Sequence, residues 1–392
     1  MLVTFAVWSF VFAFPAHASV SIAPVVLREA RATLQDGTSQ VVSLPHVLSA
    51  PNDALVKAAY HFDADLGAQP RGLSLYFPSL GAHSQVRVNG HLLADDLGAQ
   101  DMRQPLGLFK VRLIHIPDSF LVSGHNAVDV VASAVRNANV SPLWIGRDTT
   151  LSAMRDRRIA GTIVGPALVA TAITCLAACV LLLWLRRRSE VLYFYFGVGA
   201  LGWGLHTAWW ILPYRLLSPM NFAIWWTWFY SFFAFMLVVF CLRFAGWRWR
   251  YFERGLWVAC LIGPALMYAA WAYEAFDTFS SLWRLGINVV VIVGVCAVAQ
   301  YAWRRRTIES TLLLAAGAVS MAFALRDWWL SFRHANEYPI YWTPYAGLLF
   351  IALVGWILID RFVQTTNELE RMNADLESRV EQKGTALGTA LV

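Results

Sequence analysis

Four ionisable side chains stand inside long apolar stretches: His206, Arg284, Arg326 and Asp327. A charge there is costly unless it is paired, so such residues either close an ion pair or bind something. Two guanidiniums, an imidazole and a carboxylate have the chemistry of an anion or polar-ligand site, with forked donors and a counter-charge. A structural ion pair such as Arg284 with Asp327, set in an interfacial aromatic belt, is the plainer account. Tryptophans crowd the same level, among them Trp225, Trp226, Trp228, Trp283 and Trp342. A ligand pocket or a docking surface is the alternative.

A second group lies near the N-terminus, where His61, Asp63 and Asp65 alternate with Tyr60, Phe62 and Ala64. A strand puts the polar three on one face and the apolar three on the other. They suit a sugar or a cation, and a solvated strand face is what alternation by itself produces. Trp144 is a stacking platform for a sugar or a contact between an outer domain and the membrane. The run Gly197-Val198-Gly199-Ala200-Leu201-Gly202 spells a dinucleotide fingerprint. It lies within an apolar stretch with no strand before it, so its glycines serve close helix approach in lipid. The sequence has no Walker loop, metalloprotease helix, nucleophile elbow or metal-binding cysteine pair. No catalytic residue, cofactor or metal is therefore assigned, and the chain is read as a non-enzyme.

The elements that hold these residues are seven apolar stretches, at residues 159–185, 191–212, 222–242, 256–273, 279–303, 311–332 and 341–359. Each is about as long as a helix needs to be to cross a hydrocarbon core of roughly 30 Å. In that frame His206, Arg284, Arg326 and Asp327 share one layer, about 8 Å below the outer surface at 1.5 Å per residue. Arginines concentrate in alternate loops: Arg186 to Arg188, then Arg248, Arg250 and Arg254, then Arg304 to Arg306. Arginine-rich short loops stay in the cytoplasm, so the N-terminal domain faces outward and the C-terminus inward. Arg155, Arg157 and Arg158 run against this rule, and three concordant loops outweigh them.

Composition agrees, with 58% hydrophobic and 14% charged residues lying outside the range of ordinary soluble domains. The net charge of +6 comes from arginines beside the membrane, where lipid headgroups rather than nucleic acid are the partner. The lysines are Lys57, Lys110 and Lys383, none within an apolar stretch, which excludes a retinal Schiff base. Cys175, Cys179, Cys241, Cys260 and Cys296 all lie within such stretches, so the outer domain has no disulfide.

Residues 1–18 read as a signal peptide ending in Ala16-His17-Ala18. Residues 20–150 alternate with period two, and Asn89-Gly90 between Val86-Arg87-Val88 and His91-Leu92-Leu93 marks a tight hairpin. The fold class expected is a multidomain membrane protein: an all-β, jelly-roll-like sandwich, a seven-helix transmembrane bundle over 159–359, and a cytoplasmic coiled-coil helix over 360–392.

The run from Ser84 to Leu93, with Ile116-Pro117-Asp118-Ser119-Phe120-Leu121 and the run from Gly124 to Val130, resembles the galactose-binding-like jelly roll found beside glycosidase domains. An outer sandwich, seven spans and a helical exit resemble the bacterial seven-transmembrane receptors with diverse intracellular signalling modules. Pro142-Leu143-Trp144-Ile145-Gly146 is similar to the join between sandwich and first span in that family. Phe362, Leu369 and Leu376 fit one seam position of a heptad, and Thr366, Asn373 and Val380 the other. The segment from Leu369 to Val380 also resembles the helix that precedes histidine-kinase or diguanylate-cyclase domains.

The resemblance implies a receptor in the bacterial inner membrane, with a periplasmic sandwich for an extracytoplasmic, carbohydrate-like ligand. It implies a homodimer through the cytoplasmic helix and an output kinase or cyclase not contained in these residues. The alternative reading is a transporter or integral membrane enzyme with an appended carbohydrate-binding-like module. A transporter commonly shows internal repeats and broken midplane helices, which this sequence does not display.

Overall fold

The computed structural model of the protein describes residues 23–49, 54–67, 71–97, 111–135, 137–211, 217–332 and 340–349, together with 351–353, 356, 360, 363, 367 and 370–373. The segment 1–18 read as a signal peptide lies outside the described residues.

The chain opens on a β-sandwich. Its larger sheet has six antiparallel strands in the order Ser39–Ser43, Glu29–Leu34, Leu55–Asp65, His125–Val135, His83–Val88 and His91–Asp95. The smaller has four, Val25–Leu27, Leu143–Arg147, Leu73–Phe77 and Arg112–His115. A two-stranded ribbon, His46–Ser49 with Asn137–Val140, completes the domain. Alternation builds the core: Tyr60, Phe62, Val86 and Val130 of the larger sheet meet Leu75, Phe77, Leu143 and Ile145 of the smaller. The hairpin forms at Asn89-Gly90, with Val88 paired to His91. Both turn residues have positive φ, 48° and 81°, as a type I′ turn requires. Asn89 has a second use, because its amide donates to Phe120 O and Asn126 Oδ1 while its Oδ1 accepts from Ala127 N. This knot ties the hairpin to the loop before the strand His125–Val135.

A long helix follows without a break. Helix α1 spans Asp148–Arg186 and contains a π turn at Ala160–Val164. Then come α2 (Val191–Ile211), α3 (Pro219–Phe244), α4 (Arg250–Ala272), α5 (Phe276–Arg305) and α6 (Ile308–Phe332). A 3-10 turn at Thr343–Ala346 leads into further helical residues, 347–349 and 351–353. Among the described residues five helices, α1 and α3 to α6, are long and apolar enough to cross a membrane. Helix α2 is of similar length at 21 residues and rich in glycine and aromatics. It packs between α1 and α3.

The helices run past the apolar stretches that announce them. Helix α4 begins at Arg250 and α5 at Phe276, about a turn or more before the apolar stretches at 256 and 279. Ser218 caps α3, its Oγ accepting from Asn221 N, and Pro219 occupies the first turn.

The glycines of α2 let the helices touch. A Cβ at Gly204 would stand 2.2 Å from Thr174 Oγ1, and one at Gly202 would stand 2.8 Å from the Phe232 ring. The fingerprint-like run is therefore a packing surface, as its apolar setting implied.

Candidate functional site

The structure distributes His206, Arg284, Arg326 and Asp327 over three separate settings. The ion pair that sequence suggested between Arg284 and Asp327 is replaced by one between neighbours: Arg326 Nη1 lies 2.8 Å from Asp327 Oδ1. In the sequence the opposite charges share only a level, and adjacency on α6 settles which pair forms.

Asp327 is buried and does more than balance Arg326. Its Oδ2 accepts from Trp342 N at 2.8 Å, Thr343 N at 2.7 Å and Thr343 Oγ1 at 2.7 Å. The first N–H groups of a helix lack partners within it, and here a carboxylate from another helix supplies them. The negative charge also suits a helix N-terminus. Arg326 donates to Ile340 O at 3.1 Å, and its Cζ sits 3.9 Å from the Trp342 ring centre. The pair thus holds the beginning of the helical segment that starts at Thr343. Thr343-Pro344 was the sequence signal for that beginning, since proline favours a first turn.

His206 sits among aromatics. Its ring centre lies 5.1 Å from that of Trp226, nearly parallel, and 5.5 and 5.6 Å from those of Trp203 and Tyr230. Its Nδ1 is 3.2 Å from Trp226 O, which fixes the proton on that nitrogen. Arg284 is exposed on α5 and donates to Ser281 Oγ at 3.4 Å.

A further contact was invisible in the sequence. In the π turn of α1 the backbone opens, and Tyr345 OH donates to Gly161 O at 2.9 Å. The hydroxyl fits because Gly165 has no side chain; a Cβ there would lie 2.2 Å from it. Turns of this kind leave a carbonyl without its ordinary partner.

At its other end α1 is fastened to the sandwich. Asp148 Oδ1 accepts from Ser74 Oγ at 2.7 Å, and Leu151 is fully buried. The first turns of α1 pack on the strands Leu73–Phe77, Arg112–His115 and Leu143–Arg147. Trp144 pairs in register with Tyr76 and Val26 and shares the outward face with Tyr76 and Ser74, beside the helix. It is partly buried there.

On the larger sheet the polar row is real. His61, Asp63 and Asp65 alternate with buried Tyr60, Phe62 and Ala64. Register places Arg31, His61, Asp129 and Arg87 side by side across four strands. His61 Nδ1 donates to Asp129 Oδ1 at 2.7 Å, and its Nε2 lies 3.2 Å from Asp63 Oδ1. His125 Nε2 reaches the same Asp63 oxygen at 3.2 Å. Asp65 turns away to accept from Gly67 N. The hydrogen bond to Asp129, and after it the negative charges of Asp129 and Asp63, hold the His61 pKa above the usual histidine value against its partial burial. Asp129 and His125 sit on a distant strand, and only the pairing of strands brings them to His61. Among the described residues no group of three His, Cys, Asp or Glu is arranged to hold a metal ion.

Of the proposed coiled-coil seam, Asn373 is helical and exposed in the single chain. Phe362, Thr366, Leu369, Leu376 and Val380 lie outside the described residues.

No protein-family model matches the chain, and no match was found among curated proteins. Solved structures similar to part of it include a β-D-glucuronidase from Dictyoglomus thermophilum, at 11% identity and a TM-score of 0.26, covering 34% of this chain and 30% of that one. A β-glucuronidase from Ruminococcus gnavus matches at 12% identity and a TM-score of 0.27, over 34% and 30% of the two chains. A β-glycosidase from Bacteroides vulgatus matches at 12% and 0.24, over 32% of this chain and 20% of that chain. The match thus spans less than a third of each glycosidase. At such scores the likeness carries no argument, and the sandwich rests on its own strand order and register.

Proposed function

We propose that the protein is a transmembrane sensor of the bacterial inner membrane. The periplasmic sandwich detects an extracytoplasmic ligand, possessing hydroxyls that suit the His61, Asp63 and Asp129 face. A seven-helix bundle, made of α1 to α6 and the segment that begins at Thr343, carries the change inward. A dimeric cytoplasmic helix then delivers it to an output module such as a histidine kinase or a diguanylate cyclase.

One observation supports this reading above the rest: the hydrogen bond from Tyr345 OH to Gly161 O. Helix α1 bears the sandwich at one end through Ser74 and Asp148. At its π turn it grips the segment whose continuation is the cytoplasmic exit. A tilt of the sandwich on α1 is thereby felt at the start of that segment. Couplings of this kind amount to about 1 to 3 kcal/mol, the size of one or two such hydrogen bonds.

Cysteine crosslinking in membranes tests the route. With cysteine at Leu369, inter-protomer crosslinking should change severalfold in Tyr345→Phe and after a four-glycine insertion between Arg147 and Asp148. Protein level should be maintained in both. Unchanged crosslinking in both variants, together with saturable saccharide uptake by proteoliposomes, would favour the transporter reading instead.

A further inference from the structure

A strand at the edge of a sheet exposes unpaired backbone groups, and natural sandwiches blunt such edges with short strands, charge, proline or a bulge. The two main sheets do so at every edge but one. The strand Val25–Leu27 has three residues, and Arg112–His115 has four and carries Arg112. At one end of the larger sheet, His91–Asp95 pairs with a register shift at Val86 and Arg87 and finishes on Asp95. The strand at the other end, Ser39-Gln40-Val41-Val42-Ser43, has no charge, no proline and no register shift. Val41 on it is 68% exposed.

The direction of its backbone groups follows from the ladder. Leu34 N donates to Thr38 O and Leu44 N to Arg28 O. Hydrogen-bonded pairs alternate in an antiparallel ladder, so Gln40, opposite Ala32, and Val42, opposite Ala30, bond the neighbouring strand. Ser39, Val41 and Ser43 turn their N–H and C=O groups to the open edge. Their side chains share the outer face, because Val41 is level with Arg31 and His61, while Val42 is buried in the core.

We propose that this edge pairs with the same edge of a second copy of the chain, antiparallel and centred on Val41. The strand itself selects that occupant. A two-fold interface must be self-complementary, and Ser-Gln-Val-Val-Ser reads almost alike in both directions. Centred on Val41, the pairing sets Val41 against Val41 of the second copy and Ser39 against its Ser43, and each free N–H donates to a carbonyl across the edge. No like charges meet. Five paired residues bury less than the roughly 1,200 Å² of a stable soluble interface, so the contact depends on the spans, which hold the copies in one membrane at high effective concentration. The two larger sheets then form one continuous sheet, with both His61 faces on the same side. The pairing uses no part of the ligand assigned to that face and stands apart from it.

Disulfide crosslinking of the full chain, in isolated membranes with an added oxidant, tests the pairing. The parent sets the background, since its own cysteines lie in the apolar stretches. Residues opposed in a hydrogen-bonded pair are about 5.5 Å apart at Cα, within the reach of a disulfide. Val41→Cys should therefore give severalfold more crosslinked dimer than the parent, or than Leu92→Cys on the opposite edge, where Leu92 is also exposed. Ser39→Cys and Ser43→Cys should crosslink when the two chains are expressed together and stay near background when either is expressed alone. Adding Val41→Lys to both chains should abolish that mixed crosslink at unchanged protein level, because two ammonium groups then face each other across the axis. Dimer from Val41→Cys no more abundant than from Leu92→Cys would overturn the proposal, as would a mixed crosslink that survives Val41→Lys or that Ser39→Cys alone matches. A cysteine at position 41 shielded from maleimide in membranes without forming dimer would overturn it too, and would assign the edge to a strand of a different protein.

Discussion

Asp327 on α6 and Thr343 at the start of the next helical segment are joined twice through one oxygen: Oδ2 accepts from Thr343 N and from Thr343 Oγ1, each at 2.7 Å. A carboxylate that satisfies the end of another helix and neutralises Arg326 is a fastening between two segments. Asp327→Ala should cost about 3 kcal/mol, the lower part of the range for breaking a buried pair, because Arg326 retains Ile340 O and the Trp342 ring. Asp327→Asn keeps an acceptor for the two N–H groups and should cost roughly half as much. Unfolding midpoints in detergent check both, and equal losses would show that charge rather than acceptor geometry is what matters.

The pair between α3 and α4 is the second fastening. Arg243 Nε and Nη2 donate to the two oxygens of Glu253, and Glu253 is buried. Glu253→Ala should destabilise by about 3 to 5 kcal/mol, whereas Arg243→Met with Glu253→Leu should lie much closer to the parent. A double variant as unstable as the single one would contradict this.

Glycine substitutions should divide by surroundings. Gly202→Ala and Gly204→Ala push a methyl into Phe232 or Thr174, and overpacking of that kind costs about 1 to 3 kcal/mol. At Gly255 and Gly286 a Cβ meets nothing within 4 Å, so alanine there should stabilise by about 0.4 to 1 kcal/mol. Thermal unfolding of the four variants decides, and a loss at Gly286 matching that at Gly204 would refute the distinction.

His61 should make the sandwich pH-sensitive. Its folded pKa is raised, chiefly by the hydrogen bond to Asp129. The stability it adds is present in full below the unfolded value of about 6.5 and is lost as pH rises through the raised folded value. The gap in melting temperature between the parent and His61→Gln should thus be larger near pH 5.5 than near pH 8.5, values chosen on either side of an ordinary histidine pKa of about 6.5. A gap that widens at the higher pH would reverse the sign and exclude this account.

Topology is open to a direct check. Reporter fusions after Arg188, Arg250 and Arg305 should all report cytoplasm if the arginine-rich loops set orientation. A periplasmic signal at Arg250 would break the seven-span arrangement.

Period and polarity in the chain were enough to place the sandwich, the Asn89-Gly90 turn, the buried Tyr60, Phe62 and Ala64 row, and helices of membrane-crossing length. These depend on local rules: side chains alternate along a strand, two adjacent positive φ angles favour Asn-Gly, and a long apolar run seeks a non-aqueous setting. Partnership across distance obeyed no such rule. That Asp327 would bond Thr343 rather than Arg284, that Asp129 would meet His61 from 68 residues away, and that Tyr345 would reach the π turn at Gly161 depended on strand register and helix rotation. Sequence shows which side chains are polar or large, and only the packed strands and helices decide which of them meet.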